Sequence, residues 1–250
     1  MGYEQQAADF AERGYAVFDG ILQGALLDVL RAQCDAFVAR EDARMDAARV
    51  DTIGISHRGK RYFASECQRE QPALRHILFS PEMADICRAT LGDTVYFFFD
   101  QYVVKGPEDG LPFGWHQDSG YVVAYGGPPD HAPYLTCWCP LDDATLDNGT
   151  VRVVPGSHRA GVIPHAKREG SNDLEVEVDE ADSVAIEVPA GSIVAFSSLT
   201  LHATGANRTE RQRRVYLAQY TAEAMLNPGT RHLRRNAIPL IQAGCQVTFA

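Results

Sequence analysis

The 250-residue chain is 45% hydrophobic and carries a formal net charge of -10. That length and apolar content suffice for one large β-domain with a full core. The acidic balance excludes a nucleic-acid surface, which needs concentrated positive charge. No apolar run approaches the roughly 20 residues of a membrane span, and the start, Met1-Gly2-Tyr3-Glu4-Gln5-Gln6, lacks both the basic and the apolar part of a signal peptide. The chain therefore reads as cytoplasmic and without a membrane partner.

In chain order, residues 4–12 predict a short helix and Gly14–Phe18 a strand. From Gly24 to about Ala48, apolar residues at Leu26, Leu27, Leu30, Cys34, Phe37 and Val38 follow a helical stripe, which predicts a helix supporting a sheet. Asp51–Ala64 is polar and aperiodic and reads as a loop long enough to cover something. Within it, His57–Phe63 gathers Arg58, Lys60 and Arg61 with Tyr62 and Phe63, a composition shared by active-site lids and ordinary solvated loops. Ser80-Pro81-Glu82 is a helix start with Ser80 as cap, and Gly92 a stop.

After residue 93 the period becomes strand-like. Thr94–Lys105, Tyr134–Leu141, Thr150–Val154, Val184–Val188, Ser192–Phe196 and Arg213–Thr221 are β-rich runs separated by Gly, Pro and Asp-Asn-Gly turns, with no interleaved helices. The fold class that follows is mainly β with flanking helices, an antiparallel double-sheet jelly roll. One domain over 1–250 is expected: helical support to about residue 92, a core over 93–221 and an extension over 222–250. The acidic run Asn172–Asp182 reads as a solvated excursion, and the Arg211/Arg213/Arg214 and Arg231/Arg234/Arg235 groups mainly as solvated faces. The six cysteines have no zinc-type spacing and read as reduced thiols, mostly core. Nothing in the pattern sets an oligomeric state.

The chemistry concentrates at Trp115-His116-Gln117-Asp118. On an extended strand alternate residues share a face, so His116 and Asp118 point together and Gln117 away. With His202 from another strand they would form a two-histidine, one-carboxylate facial triad, the donor set of a mononuclear iron(II) site with open positions. A lone His-x-Asp has a plain alternative, two side chains hydrogen-bonded to backbone. Neutral imidazole is the ligand form, so metal affinity is expected to fall as pH drops through the histidine range.

The surrounding sequence adds Gly14-Tyr15-Ala16-Val17-Phe18, Val104-Lys105-Gly106-Pro107, Asp147-Asn148-Gly149-Thr150, Val153-Val154-Pro155-Gly156-Ser157-His158, Gly191-Ser192-Ile193-Val194-Ala195-Phe196 and Leu201-His202-Ala203-Thr204-Gly205. Together these resemble the phytanoyl-CoA dioxygenase family of Fe(II)- and 2-oxoglutarate-dependent oxygenases, over most of the chain up to about Tyr220. The resemblance implies a double-stranded β-helix, cupin-like, with the metal at one mouth. It implies that Arg213, opening the strand after the distal histidine, binds the far carboxylate of 2-oxoglutarate, with the Thr204 hydroxyl beside it. Gln101 and Trp138 match positions that line this pocket in relatives. Arg214 falls on the opposite face of its strand, so it cannot share the task. Phe113 and Trp115 are expected to exclude water, and His158 to be structural. His57, His76, His131, His165 and His232 have no partner at ligand spacing.

The implied reaction is hydroxylation of an unactivated C–H bond of a small molecule, with dioxygen consumed and succinate and carbon dioxide released. Halogenation is disfavoured, since halogenating relatives replace the carboxylate that Asp118 supplies. The competing readings are a cupin-type lyase or isomerase without 2-oxoglutarate, which needs no Arg213, and a non-catalytic metal-binding jelly-roll module. The absence of Gly-x-Ser-x-Gly disfavours a serine hydrolase.

Overall fold

The computed structural model describes residues 2–168 and 173–247. Two antiparallel sheets face each other. The larger runs, edge to edge, through Tyr15–Phe18, Ile193–Ser197, Leu135–Pro140, Arg213–Thr221, Val95–Lys105, Arg61–Ser65, Ser56–His57 and Thr52–Ile53, while Ile238–Gln242 also pairs with Val95–Lys105. The smaller is Val184–Ala185, Val151–Val153, His202–Thr204 and Phe113–His116. This is a double-stranded β-helix with flanking helices.

Strand alternation decides what each face holds. In Arg213–Thr221, Val215 and Leu217 turn toward the smaller sheet and pack with Trp138, Val151, Val153 and Phe196. Tyr216, Ala218 and Tyr220 turn the other way, into a second core shared with Leu30, Cys34 and Phe37 of the Ala25–Ala48 helix and Ile86 and Cys87 of the Pro81–Leu91 helix. That second helix begins as its sequence requires: the Ser80 hydroxyl accepts from the Met83 amide at 3.2 Å, and the chain leaves at Gly92. Cys34, Cys67, Cys87, Cys137 and Cys139 are buried free thiols, and Cys245 is an exposed one.

A bulge interrupts the pairing of Val95–Lys105 with Arg213–Thr221. Gln219 pairs with Phe99 but Tyr220 with Phe97, leaving Phe98 as the extra residue. Two residues opposing one re-aim a side chain, and Phe98 and Phe99 consequently line the same cavity.

Three expectations are corrected. Residues 51–64 are not a loop: Thr52–Ile53, Ser56–His57 and Arg61–Ser65 form a meander that extends the larger sheet, with Arg61–Ser65 paired to Gln101–Lys105. Strands of two residues around glycine turns are too short for a period to appear, and the Arg61–Ser65 strand takes its partner from the distant Gln101–Lys105. The predicted Val184–Val188 strand is reduced to Val184–Ala185 plus an isolated Val188–Ala144 bridge. The acidic run is not simply solvated. Asn172 falls outside the described residues, but Asp173 is buried, Leu174–Glu175 pairs with Ala166–Lys167, and the Val176 amide donates to the Trp115 carbonyl at 2.8 Å. No helix among the described residues is long and apolar enough to cross a membrane.

Candidate metal centre

His116 ends the Phe113–His116 strand and His202 opens the adjacent one, and the two residues are direct cross-strand partners. The expected strand does not continue through Asp118, which instead begins the Asp118–Ala124 helix. Convergence survives because Gln117 between them is still extended, at φ -110 and ψ 138. Gln117 is fully buried and fixed from both ends: its side-chain amide donates to the Gly161 and Leu199 carbonyls, and its backbone N–H donates to His165 Nε2 at 2.8 Å. His165, with no partner predicted, thus supports the turn that aims Asp118.

The Asp118 Oδ1 atom lies 3.9 Å from His116 Nε2 and 3.7 Å from His202 Nε2. One donor atom from each of the three residues falls within 4.8 Å of the others. Each imidazole uses Nδ1–H toward the carbonyl two residues earlier: His116 donates to Gly114 at 2.8 Å and His202 to Thr200 at 3.0 Å. Both Nε2 atoms therefore present lone pairs to one point, the tautomer that metal ligation needs. Burial, reinforced by the neighbouring His202, pushes the His116 pKa down to about 3, so this imidazole stays neutral well below the usual histidine range. The opposite oxygen of Asp118 accepts from Thr136 Oγ1 at 2.6 Å and Gln219 Nε2 at 3.2 Å. Two borderline nitrogen donors and one hard oxygen suit a divalent transition metal.

His116 and Asp118 sit between two lobes of one cleft. The smaller, about 70 Å³, is lined by Gln101, Trp138, His202, Thr204 and Arg213 among others. Arg213 is 1% exposed, yet among the described residues its Nε and Nη1 have no hydrogen-bond partner, and neither has the buried Thr204 hydroxyl. Its Nη2 donates to the Gly149 carbonyl at 3.2 Å, and its guanidinium lies 5.4 Å from the Trp138 ring. Gly149 is required there: its φ is +76°, and a Cβ would strike the Gly205 carbonyl. Burial pushes the Arg213 pKa down to about 10, which leaves it charged at neutral pH. Arg214, on the outer face as expected, pairs with Asp142 at 2.7 Å and Asp35 at 3.1 Å.

A scan against family models matches residues 10–215 to the phytanoyl-CoA dioxygenase model. The chain belongs to the phytanoyl-CoA dioxygenase family. An ectoine dioxygenase from Sphingopyxis alaskensis is 28% identical over 235 residues, covering 87% of this chain and 75% of that protein. A probable alpha-ketoglutarate-dependent hypophosphite dioxygenase from Stutzerimonas stutzeri is 26% identical over 158 residues, 60% of this chain and 53% of that protein. With that relative and several others, the match spans only about half of the relative's length. Among solved structures, EvdO2 from Micromonospora carbonacea var. aurantiaca, complexed with 2-oxoglutarate, superposes with a TM-score of 0.72 at 24% identity, covering 89% of this chain and 92% of that one.

Within this family member, three polar residues near the cleft were not singled out from the sequence. Thr136 and Gln219 orient Asp118, and buried Lys105 donates to the Thr204 carbonyl at 3.1 Å and to the Gly205 carbonyl. Each is a polar residue at an inward position of an otherwise apolar strand, which is the signal that reveals them. Lys105 is the cross-strand partner of both Arg213 and Arg61, so three cations stand in a row across the sheet. Burial holds the Lys105 pKa well below the usual lysine range.

The cations of 57–63 are not a free positive lid. Arg61 is buried in an ion pair with Asp173 at 3.0 Å, Arg58 lies against Asp46 and Asp51 at 2.9 Å each, and Lys60 meets Asp109 at 2.6 Å. Of the two aromatics in 57–63, Phe63 lines the cleft and Tyr62 is buried and donates to Asp42. Phe113 lines both lobes, whereas Trp115 is buried outside their linings.

Proposed function

We propose that this protein is an Fe(II)- and 2-oxoglutarate-dependent dioxygenase that hydroxylates an unactivated C–H bond of a small molecule, with release of succinate and carbon dioxide. The observation that carries this reading is Arg213, a buried cation with two unpartnered nitrogens at the end of a lobe that opens on the triad. A buried charge without a counter-ion costs several kcal/mol, so the lobe is built for an anion reaching from Arg213 toward the metal. A dicarboxylate meets that description. A cupin-type lyase would have no use for Arg213.

In this reading His116, Asp118 and His202 hold the iron, Arg213 and the Thr204 hydroxyl take the far carboxylate, and Gln101 and Trp138 flank the co-substrate. Iron and 2-oxoglutarate, when bound, supply the oxidising power drawn from dioxygen. The chain's own task is placement. Thr136 and Gln219 fix the carboxylate oxygen that faces away from the imidazoles, and the two Nδ1–H groups fix the ring planes. Trp138, Val151, Phe196 and Leu217 wall the lobe with apolar surface, which strengthens the Arg213 contact by excluding water. The prime substrate occupies the larger lobe, about 300 Å³, which shares His116 and Asp118 with the smaller. The proposal treats residues 1–250 as one oxygenase domain.

Anaerobic titration with iron(II) and then 2-oxoglutarate tests the reading, followed by succinate assay under air. Iron-dependent 2-oxoglutarate binding that Arg213→Ala weakens supports it. Binding of 2-oxoglutarate that is absent, or indifferent to iron and Arg213, sinks it.

A further inference from the structure

The larger lobe has its own charged wall, contributed by chain beyond residue 215, where the family match ends. Arg234 and Arg235 both line it. Arg234 donates only to neutral oxygens, the Val122 and Tyr125 carbonyls and Asn227 Oδ1, at 3.2 to 3.4 Å, and no carboxylate pairs with it among the described residues. Arg235 lies 4.7 Å over the Phe99 ring and 3.7 Å from Glu66, a carboxylate already held by Arg69 at 3.0 Å. Arg69 and Arg235 thus share one acid, Glu66, and Arg234 has none among the described residues.

The other acids of the lobe do not offset this excess. Asp118 belongs to the triad, and Asp173 accepts two hydrogen bonds from Arg61, at 3.0 and 3.3 Å. The same lobe is walled by the aromatic side chains of Phe98, Phe99, Tyr121 and Tyr134. A protein of net charge -10 that places under-matched positive charge in an aromatic-walled cleft selects for an amphipathic anion.

We infer that the prime substrate carries an oxyanion, a carboxylate or a phosphate, seated on Arg234 and Arg235, with an apolar or aromatic body lying along the phenylalanine and tyrosine walls toward the triad. Arginine forks suit either head group, through paired charge-assisted hydrogen bonds. The inference rests on the oxygenase reading for the direction in which the substrate points, and on the cleft alone for its charge.

The test uses the full chain loaded with zinc(II) and saturating 2-oxoglutarate, so that Arg213 is occupied. It is titrated by calorimetry with 4-phenylbutanoate, 4-phenylbutyl phosphate and the neutral 4-phenylbutanamide. At least one anion should bind about tenfold or more tightly than the amide, and the tighter of the two identifies the head group. The preference should vanish in Arg234→Gln/Arg235→Gln, fall partway in Arg235→Gln alone, and persist in part in Arg234→Lys, which keeps the charge but not the fork. Because Arg234 also holds the end of the Asp118–Ala124 helix, the Arg235→Gln result stands if the double variant is unstable. Equal binding of all three compounds, binding of none, or a preference unchanged in Arg235→Gln and the double variant overturns the inference. Failure of zinc or 2-oxoglutarate to bind in the same samples counts against the oxygenase reading instead, since the amide comparison is read separately.

Discussion

Thr136 donates its hydroxyl to Asp118 Oδ2 at 2.6 Å, which leaves Oδ1 as the oxygen facing both imidazoles. Gln219 bonds both partners, reaching Asp118 Oδ2 at 3.2 Å and Thr136 Oγ1 at 3.0 Å. Removing this support should loosen the carboxylate without deleting it. Thr136→Val is expected to weaken metal binding by roughly 10- to 100-fold. Competition titration against a metal-sensitive dye checks this, and an unchanged dissociation constant would remove Thr136 from the site.

The ligands themselves have no redundancy. His116→Ala, Asp118→Ala and His202→Ala should each abolish iron-dependent succinate release while the circular dichroism spectrum stays that of the parent. Full turnover in any one of them would take that residue out of the triad.

The two adjacent arginines should part company. Arg213 faces the cleft with unpartnered nitrogens, and Arg214 is committed to Asp142 and Asp35 outside it. Arg213→Ala is expected to raise the 2-oxoglutarate requirement by roughly 10- to 100-fold, the worth of one or two charge-assisted hydrogen bonds. Thr204→Val should act in the same direction by only a few-fold, as one neutral bond is lost. Arg214→Ala should leave that requirement alone and lower the melting temperature. Equal kinetic effects at 213 and 214 would contradict the strand-face assignment.

Arg61 and Asp173 make a buried pair joining the meander to the start of the Leu174–Glu175 strand. Arg61→Ala breaks a buried ion pair, so it should cost about 3–5 kcal/mol of stability. The neutral pair Arg61→Met/Asp173→Leu should recover most of that in urea unfolding. A double variant no more stable than Arg61→Ala would show that the pair is not a unit.

With its pKa held near 3 by burial, His116 stays neutral in the folded chain where an unfolded histidine would charge. The unfolded state therefore binds one more proton between about pH 6.5 and 3, and this residue's contribution makes stability fall as pH drops through that window. Asp100, raised to about 6 by burial, acts with the opposite sign, adding stability as pH falls from about 6 toward 4. Metal-free His116→Gln should accordingly lose less stability than the parent between pH 6.5 and 4, measured by urea titration. Parallel pH profiles for parent and variant would place the His116 proton elsewhere.

The sequence by itself determined the sheet character, the helix stripe of Leu27, Leu30, Cys34 and Phe37, the Ser80 cap and the grouping of His116, Asp118 and His202. Those features rest on local periodicity, on a cap within three residues, or on chemistry rare enough to stand out at any distance. Only the tertiary structure decided the rest. Pairing of Arg61–Ser65 with the distant Gln101–Lys105, continued by two short local strands, turned an expected loop into a meander, and the bulge at Phe98 brought a second phenylalanine into the cleft. Burial separated Arg213 from Arg214, and Arg61 from Arg58 and Lys60 beside it, although in the sequence all five are simply clustered cations. Thr136, Gln219 and Lys105 acquired their roles only because strands distant in sequence present the same face to one cleft. A side chain's neighbours are fixed by sheet pairing and its protonation by what water is excluded, and neither is written in the residues next to it.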